Sequence, residues 1–369
     1  MRRYFLLSTL ALLISLGCAS TPDGPTTLAT AKSPAWSAKA SPKEMQVAVS
    51  PAGKTLRVLG TSGMVLGAGA DAIVNAKFRG PIRDSLAGYD AAEVYKNIIK
   101  TRLEASLSTP PSEVAPFAST AGSTSVEEAK KARYRSIAKG GADLLLDCDM
   151  KFGVYGPEGV LATKFDGELV IVPSGKRLWK RVIVATTEPV LANAKLGDPT
   201  SRLGLNITNP DFTVDEEKVN RWTADGGAIL KERFELAANA AVAALIVDLG
   251  LAEDGLGEYT LGVLMMNHKK FSEAGAHFEK ALQLDPSLID ARNAHAVNMA
   301  HNGQVDDAIA EMKSLTESNP DYAPAWYNLA YWYAVKKKDA ASAQPAYDKS
   351  VALGMPKDSS IEKAIRKAS

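Results

Sequence analysis

The chain has 369 residues, 46% apolar and 23% charged, with 43 basic side chains against 42 acidic ones. These are the proportions of a globular protein of two to three domains, which excludes bulk disorder. Nothing in the near-zero charge suggests the clustered basic surface that nucleic acid requires, and no nucleic-acid partner is expected. Two cysteines and four histidines leave little material for a disulfide framework or a multi-ligand zinc site.

Residues 1–17 have the three parts of a secretory leader. Arg2 and Arg3 form the charged start, 4–16 the apolar run, and Gly17-Cys18-Ala19-Ser20 the small-residue exit. The run falls short of the roughly 20 residues that a spanning helix needs. Ser15-Leu16-Gly17-Cys18 resembles the lipobox of bacterial lipoproteins, with its first two positions exchanged and Ile14 one place earlier. That resemblance implies a signal peptide over 1–17, a lipidated Cys18 and a membrane anchor of several acyl chains. The bland alternative is cleavage after Ala19 or Ser20, which discards Cys18. Ala19 in place of aspartate implies sorting to the bacterial outer membrane, facing the periplasm. Residues 18–43 are mostly Ser, Thr, Pro and Ala with a lone Trp36, and read as a flexible tether.

Residues 44–250 read as an α+β periplasmic domain, with helices packed on a mostly antiparallel sheet. A short strand is expected over 54–59. Asp90 and Glu93, then Ser125 and Glu128, make capping boxes for helices ending near Leu107 and Gly140. The best strand follows, with Leu144, Leu146, Cys148, Met150, Phe152 and Val154 alternating with Asp143, Asp147 and Asp149 among others. Residues 165–172 and 177–187 read as a hairpin, and 224–249 as a long helix stopped by Gly250. Two stretches, 108–124 and 188–212, are expected as long loops. The strand after Gly140-Gly141-Ala142-Asp143 and the hairpin Ser174-Gly175-Lys176-Arg177-Leu178-Trp179 resemble the small periplasmic domain of curli-secretion lipoproteins and of the N-terminal part of TolB.

The chemistry available here is thin. Gly67-Ala68-Gly69-Ala70-Asp71-Ala72 has the form of a dinucleotide turn, but Met64-Val65-Leu66 is a poor strand and Arg79-Gly80-Pro81 breaks the helix the turn would need. It reads as a small-residue turn. Asp143, Asp147 and Asp149 read as a solvated strand face rather than a cation site, and Cys148 as a buried thiol. No histidine lies in 43–250, which removes histidine-based triads there. No catalytic residue, cofactor site or metal site is expected.

The last third carries an internal period. Pro286 and Pro320 lie 34 apart, and Leu261-Gly262, Met265, Ala274, Phe278 and Ala281 recur as His295-Ala296, Met299, Ala308, Met312 and Leu315. A third copy holds Trp326, Leu329-Ala330 and Tyr333, then Ala343 and Tyr347 after one inserted residue. Small residues let paired helices approach and large ones fill the space around them. Over 255–354 this resembles three tetratricopeptide repeats, an all-α solenoid. Residues 357–369, with Ser359 and Glu362 as a capping box, read as the helix covering its end.

The resemblance implies a concave partner-binding groove lined by Tyr259, Val263, Asn267, Asn293, Val297, His301, Tyr327, Asn328 and Tyr331. The reading is thus a non-enzymatic outer-membrane lipoprotein, acting as an adaptor for envelope proteins and meeting the membrane through Cys18. One alternative is a structural or secretion component that assembles with copies of itself through the α+β domain. A third is an envelope hydrolase using carboxylates.

Overall fold

A computed structural model describes residues 28–40, 46–48, 76–118, 125–155, 159–193, 196 and 214–369. The leader, Cys18, the strand expected over 54–59 and the turn at 67–72 lie outside the described residues.

The alternating segment forms β4, Leu144–Tyr155, and its even-numbered positions are buried because they supply one continuous apolar face. Strand β5, Val160–Ile171, pairs antiparallel along all of β4, from Leu144 opposite Ile171 to Tyr155 opposite Val160. It starts earlier than the sequence suggests. Gly175, at φ 71°, turns the chain into β6, Lys176–Thr186, which pairs antiparallel with β5.

On the other side of β4 the sheet is parallel. β1, Pro34–Ala40, runs beside β4 from Pro34 opposite Leu144 to Ala40 opposite Met150. β2, Gln46–Ala48, continues along β4, and β3, Ser112–Glu113, borders β1. The order is β3-β1-β4-β5-β6, with β2 also on β4. Two expectations are corrected here. The tether does not extend to residue 43, because 34–40 gains a full ladder on β4 and buries Trp36, which composition counted as a lone aromatic. The loop expected over 108–124 contains the edge strand β3.

Helix α1, Ala91–Ser106, starts where the Asp90 carboxylate accepts the Glu93 amide at 3.1 Å, and α2, Val126–Lys139, where the Ser125 hydroxyl accepts the Glu128 amide at 3.2 Å. Helix α3, Glu216–Asp248, is broken at 225–227, where φ is 51°, 64° and 74°. Its second segment therefore begins close to the start expected at residue 224. α1 and α3 cover the even-numbered face of β4: the Phe152 ring lies 6.1 Å from Tyr95 and 5.4 Å from Phe234. α2 covers the opposite face with a small core of Ala35, Tyr134, Leu145, Val170 and Val172.

The aspartate face is therefore not simply solvated. Arg133 of α2 donates to Asp147 at 2.6 Å, to Ser37 at 2.9 Å and to the Ala115 carbonyl at 2.9 Å. Asp143 accepts the amides of Lys32 and Ser33 at 2.9 and 3.2 Å. These carboxylates fasten β1, α2 and the chain after β3 to the sheet. Cys148 is buried on the far side, where burial, then Asp147 and Asp149, push its thiol far up and leave it unreactive.

From Gly255 the chain is helical hairpins: α4 Gly255–Asn267, α5 Phe271–Leu284, α6 Ile289–His301, α7 Val305–Ser318, α8 Ala323–Tyr331 and α9 Ala340–Ala352. The residue inserted in the third copy is absorbed by a π-helical stretch, Trp332–Lys337, which closes on left-handed Lys338. The last helix, α10 Ser359–Ala368, buries Ile361 and Ile365 against the stack. Its cap is Asp358 rather than Ser359, the carboxylate accepting the amides of Ser360 and Ile361 at 2.7 and 3.3 Å.

The small residues act as the spacing requires. A Cβ on Gly262 would stand 2.6 Å from the Phe278 ring, and one on Gly257 2.6 Å from the Ala243 carbonyl oxygen. The second contact brings α4 onto α3 backbone to backbone, so one apolar core runs from the sheet through the repeats. Arg102 of α1 adds an ion pair to Asp254, the cap of α4, at 2.7 Å.

Candidate functional site: the concave face of the repeats

Of the expected groove residues on the first helices of the three hairpins, α4, α6 and α8, Tyr259 and Val263 face β6, and Asn293 and Asn328 meet the segment after it. Asn267 instead turns back onto the Val263 carbonyl at 3.0 Å, and His301 stacks on Phe271 of α5. Val263, Asn267, Asn293, Val297, Tyr327 and Asn328 are buried; Tyr259, His301 and Tyr331 are half-buried. Val184, Ala185, Thr186 and Glu188 face Tyr259, Thr260 and Val263 across a narrow cleft. The face is therefore not open to solvent as the repeat pattern implies. Residues 187–193, which lie partly in the expected loop 188–212, lie across it.

The contact is built on two asparagines. Asn293 donates from Nδ2 to the Val190 carbonyl at 2.8 Å. Asn328 donates to the same carbonyl at 3.3 Å and accepts the Ala192 amide on Oδ1 at 2.7 Å. The two side chains are also joined, Asn328 Nδ2 to Asn293 Oδ1 at 2.8 Å. Such a pair reads a carbonyl and the amide two residues on, atoms that any backbone carries whatever its side chains. Val190, Leu191 and Ala192 are buried in the same core as Val297 and Tyr327.

One end of the strap is held by Glu188, paired with Arg233 of α3 at 2.9 Å. At the other end the Asn193 amide donates to Asp358 at 3.2 Å, and Tyr327 donates its hydroxyl to the same carboxylate. Burial raises the Asp358 pKa, but hydrogen bonds from Ser360, Tyr327 and the amides of Ser360 and Ile361 outweigh it and hold the carboxyl below its ordinary range. Asp358 thus stays charged beneath the strap. Neither Asp358 nor 190–192 stands out in the sequence, because a three-residue apolar run inside a polar stretch is too short to mark a buried segment.

Three of the repeat histidines are held in contacts within the repeats, and His268 is exposed. His277 meets Glu258 at 2.6 Å, and His295, in an interior leucine slot, meets Glu311 at 3.1 Å. The hydrogen bond to Glu311 raises the His295 pKa against its burial, while burial and then Lys336 lower that of His301, whose ring stacks on Phe271 at 5.7 Å. Opposite pH dependences follow from an unfolded value of about 6.5. His295 stabilises the fold fully below that value and loses its contribution as pH rises through its raised folded pKa. His301 costs stability as pH falls from about 6.5 through its lowered one. Melting temperatures measured across this range should show His295→Gln falling furthest below wild type in acid, and His301→Gln gaining on wild type there. Parallel profiles for the two variants would contradict both assignments.

The fold and the groove define a protein that contains tetratricopeptide repeats, typically non-enzymatic scaffolds for protein–protein interaction. Residues 266–330 match the tetratricopeptide repeat family. Among solved structures the chain is similar to YrrB, titled "a TPR protein with an unusual peptide-binding site", at 21% identity and a TM-score of 0.29, over 41% of this chain and 79% of that one. No curated protein sequence matches this chain. Among the described residues, no helix is long and apolar enough to cross a membrane.

Proposed function

We propose that this protein is a non-enzymatic adaptor whose repeats hold a peptide segment of a partner protein in the bacterial envelope. A lipid on Cys18 anchors it to the outer membrane, facing the periplasm. The observation that carries the adaptor reading is that the groove already grips polypeptide backbone: Asn293 and Asn328 bind the Val190 carbonyl and the Ala192 amide, atoms that almost any peptide offers. The leader and Ser15-Leu16-Gly17-Cys18 support the anchor. Anchoring confines the groove to a surface and raises its effective concentration there.

The test is a crosslinking pull-down from intact cells, with wild type beside Cys18→Ala and captured proteins identified by mass. A defined envelope protein should be captured by wild type and lost with the variant. Capture of copies of this chain alone would replace the adaptor with a self-assembling structural protein.

A further inference from the structure

Resting on the groove reading above, we infer that residues 187–193 are a built-in competitor for the groove. The ligand taken from a partner is then a peptide of the same chemistry: two aliphatic residues, a small residue, then a hydrogen-bond donor. It enters by displacing the strap.

Three features lead there. First, the strap lies outside the sheet ladder. The last residue of β6 paired with β5 is Thr186, opposite Ala162, so strap release breaks no strand pairing. Its polar ties include the backbone bonds to Asn293 and Asn328, the partly exposed Glu188–Arg233 pair, the Glu188 amide on the Thr186 hydroxyl and the Asn193–Asp358 bond.

Second, the reading pair survives departure of the strap. Asn293 and Asn328 orient each other through their own hydrogen bond, and the atoms freed, Asn293 Nδ2 and Asn328 Oδ1, gain water instead of being left buried. A vacated groove keeps the geometry needed for a new backbone.

Third, the seat has a defined sign. The side chains meeting the backbone are uncharged amides, and the charged group at the end is the Asp358 carboxylate, which takes the Asn193 amide. A hydrogen-bond donor such as the asparagine amide is favoured there, whereas an acidic residue meets like charge in a buried site. The strap is Thr187-Glu188-Pro189-Val190-Leu191-Ala192-Asn193. Because it is tethered, a peptide in solution faces an apparent affinity reduced by the fraction of open groove.

The test uses a fluorescent peptide of this strap sequence and the full chain in detergent, read by anisotropy. Val190→Gly/Leu191→Gly, which keeps the strap backbone but removes its apolar anchors, should bind the peptide at least ~10-fold more tightly than wild type. Adding Asn328→Ala should abolish that gain. A peptide with glutamate in place of its final asparagine should bind the opened chain at least ~10-fold more weakly, as expected of a buried like-charge contact.

No gain in an opened chain that keeps its folded circular dichroism spectrum at the assay temperature would overturn the inference, as would a gain indifferent to the glutamate peptide. Should the double variant fail to fold, hydrogen exchange on wild type decides. The Ala192 amide should exchange at least ~10-fold faster than the β4–β5 ladder amides, by local opening; exchange only with global unfolding makes the strap a permanent part of the core. If wild type captures its partner in cells while the opened chain gains no peptide binding, the strap inference falls and the adaptor stands. If the opened chain gains peptide but captures no more partner than wild type, the adaptor's groove assignment falls instead.

Discussion

Replacing Trp36 with alanine should destabilise the protein by about 3–5 kcal/mol, the usual cost of emptying a buried aromatic site. Trp36 is 1% exposed and sits in β1 between Leu146 of β4 and Glu113 of β3. Its carbonyl accepts the Val114 amide at 2.9 Å, so β1 also holds the edge of the sheet. The measurement is chemical denaturation followed by far-ultraviolet circular dichroism. A midpoint equal to wild type would return residues 34–40 to the tether. The loss expected instead means that the folded body begins at or before residue 34. Any lipid on Cys18 would then hold it on a short leash.

The second large effect is at Tyr327. As an open groove residue it could be changed without harm to the fold, but the structure buries it completely. Its ring fills the core beneath the strap, and its hydroxyl donates to Asp358, which caps α10. Tyr327→Ala should cost about 3–5 kcal/mol. Tyr327→Phe, which removes only a hydrogen bond to a charged group, should cost about 1.5–3 kcal/mol. Limited proteolysis should show α10 released first, because Asp358 also receives the Asn193 amide and donates its own amide to Tyr347 at 2.7 Å. Equal stability of wild type and Tyr327→Ala would mean that the face is open after all. Loss of partner capture by this variant would therefore report unfolding, and the strap variant is the cleaner probe of the groove.

The features legible in the sequence share one property: their causes are local. Asp90 and Ser125 cap helices because their side chains bond amides three residues away. β4 alternates because burial on one face sorts side chains with period two. The 34-residue recurrence of small and large residues marks paired helices wherever they end up, and shows the extra residue in the third copy, though only the structure shows that it forms a π-helical stretch. Even the cap of α10 was missed by a single position, Asp358 for Ser359, because both residues can play that part locally.

What only the tertiary structure decided was which surfaces are covered, and by what. The pairing of β1 with β4 joins Ser37 to Asp147 across 110 residues of chain, and the Asn293–Val190 bond spans 103. Neither partner signals the other in sequence. A tripeptide such as Val190-Leu191-Ala192 has too little apolar surface to announce a structure alone, and gains its stability from a groove assembled by three distant helices. The sequence by itself therefore determined the elements and the repeat architecture, through short-range capping and periodic burial. The filled groove, and with it the question of what displaces the strap, arises from long-range packing free energy that no local window contains.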